Sequence, residues 1–520
     1  MSNRIIQIIL LIMVYCSPSC TTNDMKDNNT ILETTLVTLT EKDYRPAYHF
    51  TPALHWMNDP NGLVYYKGQY HLFFQYNPNA SVWGPMNWGH AVSTDLFNWQ
   101  DLPVALVPDN QGAMFSGSVV VDSLNTSGFK NGEEDPLVAI FTHAGAQQMQ
   151  SIAYSNDGGR KWTKYNQNPV LANPGVPDFR DPKVMWFNDL KKWIMSLATG
   201  NKVSFYSSAD LKNWTFESDF GIGFGSHGGV WECPDLFQLP VEGTNLKKWV
   251  LLVSINPGGP NGGSATQYFI GDFDGHKFTT ETTHTKWIDY GTDNYAGVTY
   301  SNIPKSDGRR IMIGWMSNWI YAGQVPTTSW RSAMTIPRVI TLVQQDNSYK
   351  LRFNPVVEGD KYKSETEKST ALNTGGPIQL INNDIIKSGS YELRFSVDFS
   401  KTDSLILTTG NLSENLKIRF NKSLGQVTID RSRSGNVSFN DQFKRMIYSP
   451  MDLSGTNPIV EIRMLVDKTS VELFWNNGEN VITALYFPRY KYDYLKINGN
   501  SGSGYIKDAS LTGIRGSLLR

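Results

Sequence analysis

Five segments of the chain share one plan, a short apolar strand opening on a polar residue, then a turn and a second apolar strand, and they open at Asp59, Ser116, Asp181, Glu232 and Tyr295. The openings stand 57, 65, 51 and 63 residues apart, near the roughly 50-residue period of kelch-type repeats and long enough for a four-stranded blade with its loops. A second mark recurs inside them. Ser93-Thr-Asp-Leu-Phe-Asn-Trp99, Ser155-Asn-Asp-Gly-Gly-Arg-Lys-Trp162, Ser208-Ala-Asp-Leu-Lys-Asn-Trp214 and Asp272-Phe-Asp-Gly-His-Lys-Phe278 each set a polar turn before a closing aromatic, as the outer hairpin of a blade does. One such unit cannot bury its own apolar face, so neighbours must stack around an axis. Strands such as Leu72-Phe-Phe-Gln-Tyr76 and Lys192-Trp-Ile-Met-Ser-Leu197 carry bulky residues too densely for a solvated face, and radial stacking covers both faces. The expected fold is all-β: a five-bladed β-propeller over residues 44–350.

From about Pro355 the pattern changes to clean alternation. Tyr391, Leu393, Phe395, Val397 and Phe399 share one face, and Leu416, Ile418 and Phe420 another. Residues 421–425 read as a turn to Val427 and Ile429, and Ile462 to Val466 pairs with Val471 to Phe474 across residues 467–470. Residues 356–520 are therefore expected to form a C-terminal β-sandwich. At 520 residues, two domains are also the default on length.

The N-terminus carries a different signal. Arg4 flanks an apolar run from Ile5 to Tyr15 that is too short to span a bilayer, and small residues precede Cys20. This resembles a bacterial lipoprotein signal: residues 1–19 as signal peptide, Cys20 as the lipidated residue and residues 20–43 as a polar tether. Pro18 and Ser17 stand where such signals have an aliphatic residue, Cys16 is a competing acceptor, and plain secretion is the alternative. The expected location is outside the cytoplasm, anchored at the bacterial outer membrane on its periplasmic or external face. Beyond Cys16 and Cys20 the only cysteine is Cys233, so the folded domains have no internal disulfide. A formal net charge of -1 argues against nucleic acid or an anionic membrane surface as partner and for a neutral substrate. The eight histidines show no zinc-ligand spacing, and no metal or cofactor is expected.

Three motifs carry carboxylates. Trp56-Met-Asn-Asp-Pro-Asn-Gly62 reads on its own as a tight turn, Phe179-Arg-Asp-Pro-Lys-Val184 as a surface ion pair, and Trp231-Glu-Cys-Pro-Asp-Leu-Phe237 as a strand with one exposed Glu. Their shared position at the openings of repeat units changes that, because a propeller brings such openings to one end of its axis. Glycoside hydrolysis needs two carboxylates across the scissile bond, one ionised and one protonated, roughly 5 to 5.5 Å apart when configuration is retained. Asp59 suits the nucleophile. Glu232, flanked by Trp231, Cys233 and Pro234, suits the group that keeps its proton. Alternation along the strand places Cys233 opposite Glu232, facing into the packing as a buried structural thiol.

With these motifs the chain resembles glycoside hydrolase family 32, the family of invertases, inulinases and levanases, over nearly all of the exported part. The resemblance implies that Asp59 attacks the anomeric carbon of a fructofuranosyl unit, Glu232 serves as general acid/base, and Asp181 stabilises the transition state. It also implies substrate contacts from Asn58, Gln75, Trp83, Phe115 and Ser116 in Phe115-Ser-Gly-Ser118, Arg180, and Trp315 in Gly314-Trp-Met-Ser317. Many relatives carry an aromatic where this chain has Asn294, a departure expected to reshape the funnel rim. The stretch Trp315-Met-Ser-Asn-Trp319 with Trp330-Arg331 is more similar to bacterial levanases and inulinases, which favours a fructan poly- or oligosaccharide, levan or inulin, trimmed from its end to free fructose. Endo-acting levanase and fructosyltransferase are the alternatives within the enzyme class. A non-catalytic surface fructan-binding protein is the alternative outside it. Linkage preference and oligomeric state are open from sequence.

Overall fold

The structure, a computed structural model, describes residues 36–282, 284–345, 348–368, 378–451, 458–500 and 504–516. The signal, Cys16, Cys20 and the tether up to residue 35 lie outside the described residues. From Leu36 the chain belongs to one folded unit. Thr38 bridges Tyr490, and the Glu41 carboxylate accepts from Thr328 and Ser329 at 2.6 to 2.9 Å. Residues 36–43, expected to be tether, are thus part of the fold. Among the described residues no helix is long and apolar enough to cross a membrane.

The fold is a five-bladed propeller followed by a β-sandwich. Each blade is an antiparallel sheet whose strands follow chain order outward from the axis. We number the innermost strands β1 (His55–Tyr66), β2 (Ala113–Val121), β3 (Phe179–Phe187), β4 (Val230–Pro240) and β5 (Tyr295–Thr299). They neighbour one another in that order, and β5 returns to β1. The ring is closed by Tyr65 N donating to Ser301 O at 3.0 Å and Ser301 N to Leu63 O at 2.9 Å. It is also closed by Trp330–Arg331, which pairs in parallel with the start of β1. The fifth blade ends with Ser348–Pro355, five residues past the end expected from sequence.

The recurrent polar turns join the third and fourth strands of the first four blades. In each, an aspartate at the turn accepts backbone N–H groups: Asp95 from Phe97 and Asn98, Asp157 from Arg160 and Lys161, Asp210 from Lys212 and Asn213, Asp274 from His276 and Lys277. The closing indoles Trp99, Trp162 and Trp214 donate back into their own turns at 2.9 to 3.1 Å. The aspartate satisfies the turn's donors and the aromatic covers it, which explains why this sequence mark tracks the architecture.

The sandwich has two six-stranded sheets. The faces read from the alternation are inside it: Leu393, Val397, Phe399 and Phe420 have no exposed surface, and Val466 pairs with Val471 across the hairpin at residues 467–470. One strand of that hairpin, Ser470–Trp475, is buried on both faces, because it packs on the fifth blade. There His49 sits between Asp467 and Glu472 at 2.7 Å each. Arg338 joins Glu472 to Asp289, the latter at 2.9 Å.

Candidate active site

Every innermost strand breaks register at the same height. The irregularities fall between Met57 and Pro60, Met114 and Gly117, Arg180 and Lys183, Glu232 and Asp235, and Tyr295 and Val298. A bulge re-aims the side chain it carries, so residues that simple alternation would point sideways turn toward the axis. Proline inside a strand is tolerated mainly at such irregularities, and Pro60, Pro182 and Pro234 each follow a bulge residue. Asp181, Cys233 and Ala296 take positive φ of 63°, 46° and 51°, a left-handed backbone that non-glycine residues adopt rarely.

The result is a cluster of three carboxylates. Asp59 accepts from Asn58 Nδ2 at 3.0 Å and from Ser116 Oγ at 2.7 Å. Asn58 is fixed in turn by the Trp56 indole, at 2.8 Å. Asp181 receives the Cys233 N–H at 3.1 Å, and its own N–H donates to Thr142 Oγ1 at 3.1 Å. Glu232 accepts through Oε1 from Arg180 Nε and Nη2, at 3.1 and 2.9 Å, and through Oε2 from the Tyr295 hydroxyl. Arg180 also holds Asp178 at 2.5 Å and lies 4.0 Å from Asp181.

Burial raises the proton affinity of Asp181, the Arg180 guanidinium opposes this, and the charges of Glu232 and Asp59 add to it; the net position is about 7. Glu232 is raised for the same first reason, with Arg180 and the Tyr295 hydroxyl pulling it back and Asp59 pushing it up. Both carboxylates thus hold a proton more tightly than an exposed acid does, as grouped acids in a desolvated site must.

Asp59, Asp181, Glu232, Arg180, Asn58 and Ser116 are brought together as the motifs implied. Gln75 stands across the ladder from the Asn58–Asp59 bulge, and its buried Nε2 has no hydrogen-bond partner, which leaves it a donor for a ligand. Trp83 is 51% exposed and meets Phe115 edge to face at 6.2 Å.

Trp315 has no exposed surface; it donates to Met57 O at 3.1 Å and packs on Trp56 and Trp319, so it props the strand carrying Asp59. Two expectations are corrected. Cys233 is buried, but because the bulge interrupts alternation its sulfur lies 3.6 Å from Oδ2 of both Asp59 and Asp181. Asn294 is 1% exposed and its amide donates to Asp289 Oδ2 at 3.1 Å, which places it inside the fold and off the rim. Tyr295 is the site residue that motif chemistry alone missed; its position, equivalent to the openings of the other four repeats, was the available signal. A cleft of about 940 Å³ lined by Trp99, Gln100, Lys361, Tyr362 and Arg515 shares no lining residue with the carboxylates, so charge and not cavity size locates the chemistry.

Residues 49–355 match the glycosyl hydrolases family 32 N-terminal domain, and residues 356–512 match the family 32 C terminal. A levanase of Bacillus subtilis (strain 168) is 47% identical over 482 residues, covering 91% of this chain and 70% of that protein. An extracellular exo-inulinase of Aspergillus awamori is 38% identical over 514 residues, covering 89% of this chain and 93% of its own. A crystal structure of exo-inulinase from that organism superposes with a TM-score of 0.84 at 34% identity, covering 91% of this chain and 99% of its own. The propeller with its axial carboxylates defines a glycoside hydrolase, and the chain belongs to glycosyl hydrolase family 32.

Proposed function

We propose that the protein is a retaining β-fructofuranosidase that trims fructans, levan or inulin, from their ends and releases fructose. The observation that carries this is the convergence of Asp59, Asp181 and Glu232 at one end of the axis, with Glu232 alone gripped by both a guanidinium and a phenol. Asp59, held by two donors and poised on the axis, is the nucleophile. Glu232 protonates the leaving oxygen and then activates water. Asp181 holds ring hydroxyls: two such donors favour its ionised form, which leaves the cluster's proton to Glu232 as the sugar binds. Gln75, Arg180, Trp83 and Phe115 contact the sugar, while Asn58 and Ser116 orient Asp59 and complete the polar wall. The names of the related levanase and exo-inulinases support a fructan substrate, and one of them is called extracellular, which supports export. Lipid attachment at Cys20 is part of the same proposal.

A timed product profile on levan, inulin and sucrose tests it. Free fructose from the first minutes supports end-trimming; early oligosaccharides indicate internal cleavage, and chains longer than the substrate indicate transfer. Glu232→Gln should cut the rate on sucrose by about two to four orders of magnitude while the protein stays folded. An unchanged rate would remove Glu232 from the mechanism.

A further inference from the structure

Below the catalytic carboxylates the axis is crossed by a second polar layer. Lys183, two residues on from Asp181, sends its ammonium across from the third blade to the fifth and donates to Thr299 O at 2.5 Å. Asp235 of the fourth blade lies between them. Its Oδ2 accepts the Thr299 N–H at 2.6 Å and faces the Lys183 ammonium at 3.3 Å. Asp235 is 1% exposed and Thr299 has no exposed surface. A charged pair in so little water is costly unless geometry and hydrogen bonds compensate it, and here each partner is also tied to one peptide unit of β5.

The layer is asymmetric. The strands bearing the nucleophile and its serine, β1 and β2, are linked to their neighbours by hydroxyls: Ser118 donates to Pro182 O at 2.9 Å, and Ser301 to Val119 O at 2.8 Å. The charged knot joins β3, β4 and β5 only. Those three strands carry Arg180, Glu232 and Tyr295, which are the acid and both groups that hold it.

We propose that Lys183 and Asp235 are positioning residues for the general acid, fixing the three inner strands so that Arg180 and Tyr295 meet Glu232 in register. The inference rests on the fructosidase chemistry proposed above. It separates the acid from the nucleophile: disturbing the knot displaces the proton donor relative to the leaving oxygen and leaves the Asn58–Asp59–Ser116 group in place.

The test compares kcat/KM, which reports the first bond cleavage, on two fructosides. Sucrose loses a sugar alkoxide and needs the acid; 4-nitrophenyl β-D-fructofuranoside loses a phenolate that departs without a proton. Lys183→Met, similar in length and without donors, should lower kcat/KM on sucrose at least about tenfold and on the aryl fructoside by less than about threefold. Asp235→Asn, which keeps an acceptor for Thr299 N, should show the same split and serves if Lys183→Met does not fold. Equal losses on both substrates, or no loss in a folded variant, would overturn the inference. Wild-type protein inert on sucrose and on fructan would sink the proposed function instead.

Discussion

The Tyr295 hydroxyl donates to Oε2 of Glu232 from a strand two residues beyond the buried Asp293. That bond favours the ionised carboxylate and therefore holds down a proton affinity that burial has raised. Removing it with Tyr295→Phe should move the alkaline limb of the kcat/KM profile on sucrose to higher pH, because Glu232 then keeps its proton longer. The same change loosens the acid, so the plateau should drop about tenfold or more. An alkaline limb that stays in place or moves down would show that the phenol does not act on Glu232.

Cys233 offers a second check on the cluster. Burial pushes its thiol well above the usual range, and the neighbouring charges of Asp181 and Asp59 push it further. Since the thiolate is the reactive form, iodoacetamide at pH 8 should leave the native protein's Cys233 peptide unmodified over hours and label it at once in urea. Mass spectrometry of the digest reads the Cys233 peptide directly. Prompt labelling of native protein would contradict the placement of the sulfur between the two carboxylates.

The seam between propeller and sandwich should titrate. Burial alone would lower the proton affinity of His49, but hydrogen bonds and charges from Asp467 and Glu472 outweigh it and raise the imidazole to about 9. The unfolded value is about 6.5, so folding takes up a proton between the two. The stabilisation is complete below about pH 6.5 and is lost as pH rises through about 9, amounting to up to about 3 kcal/mol. Glu472, held down to about 2 by Arg338 and His49 against its burial, stays ionised throughout this window. His71, lowered to about 4 by burial, favours the native state above that window's lower edge and is common to both proteins compared. The difference in Tm between wild type and His49→Gln should therefore shrink from pH 6 to pH 10. A constant difference would mean that His49 is not charged at the seam.

How far the chain could be read from its sequence follows from what each feature depends on. The blades were legible because the Asp95-type turns satisfy their own backbone donors locally and so leave the same mark in four of the five repeats. The sandwich was legible because apolar residues alternate along Tyr391 to Phe399 and Leu416 to Phe420 and all point inward, although Glu392 and Asp398 on the opposite face of the first strand are also buried. Asp59, Asp181 and Glu232 were legible as acids at equivalent repeat positions. Their aim was not, because it comes from bulges: alternation placed the Cys233 thiol away from carboxylates that it touches. Trp315 gave no local sign that its indole would brace the strand of Asp59. His49, Arg338 and Glu472 gave no signal at all, since residues 49, 338 and 472 meet only once the sandwich has docked.

Arg431 provides the last prediction, and it concerns how the sandwich reaches the site. Its guanidinium has no exposed surface. From the sandwich it donates to Asp293 Oδ2 at 2.8 Å, to Leu485 O at 3.0 Å, to Thr292 Oγ1 and the Tyr321 hydroxyl at 3.0 Å each, and to Phe443 O at 2.5 Å. Asp293 also accepts from Leu485 N at 2.9 Å and from Tyr321 at 2.6 Å, so the loop leading into β5 is pinned to the strand Asn480–Leu485. Gly291 fits there because an added Cβ would lie 2.0 Å from Thr483 O. Arg431→Met strands the Asp293 charge and should cost about 3 to 5 kcal/mol in urea unfolding, as loss of one partner of a buried pair does. Arg431→Met combined with Asp293→Asn should cost less than the sum of the two single changes by more than about 1 kcal/mol. Because Asp293 lies two residues from Tyr295, the folded fraction of Arg431→Met should also show the higher alkaline limb expected of Tyr295→Phe, in milder form. Additive costs, or a stability loss with an unmoved pH profile, would confine Arg431 to holding the two modules together.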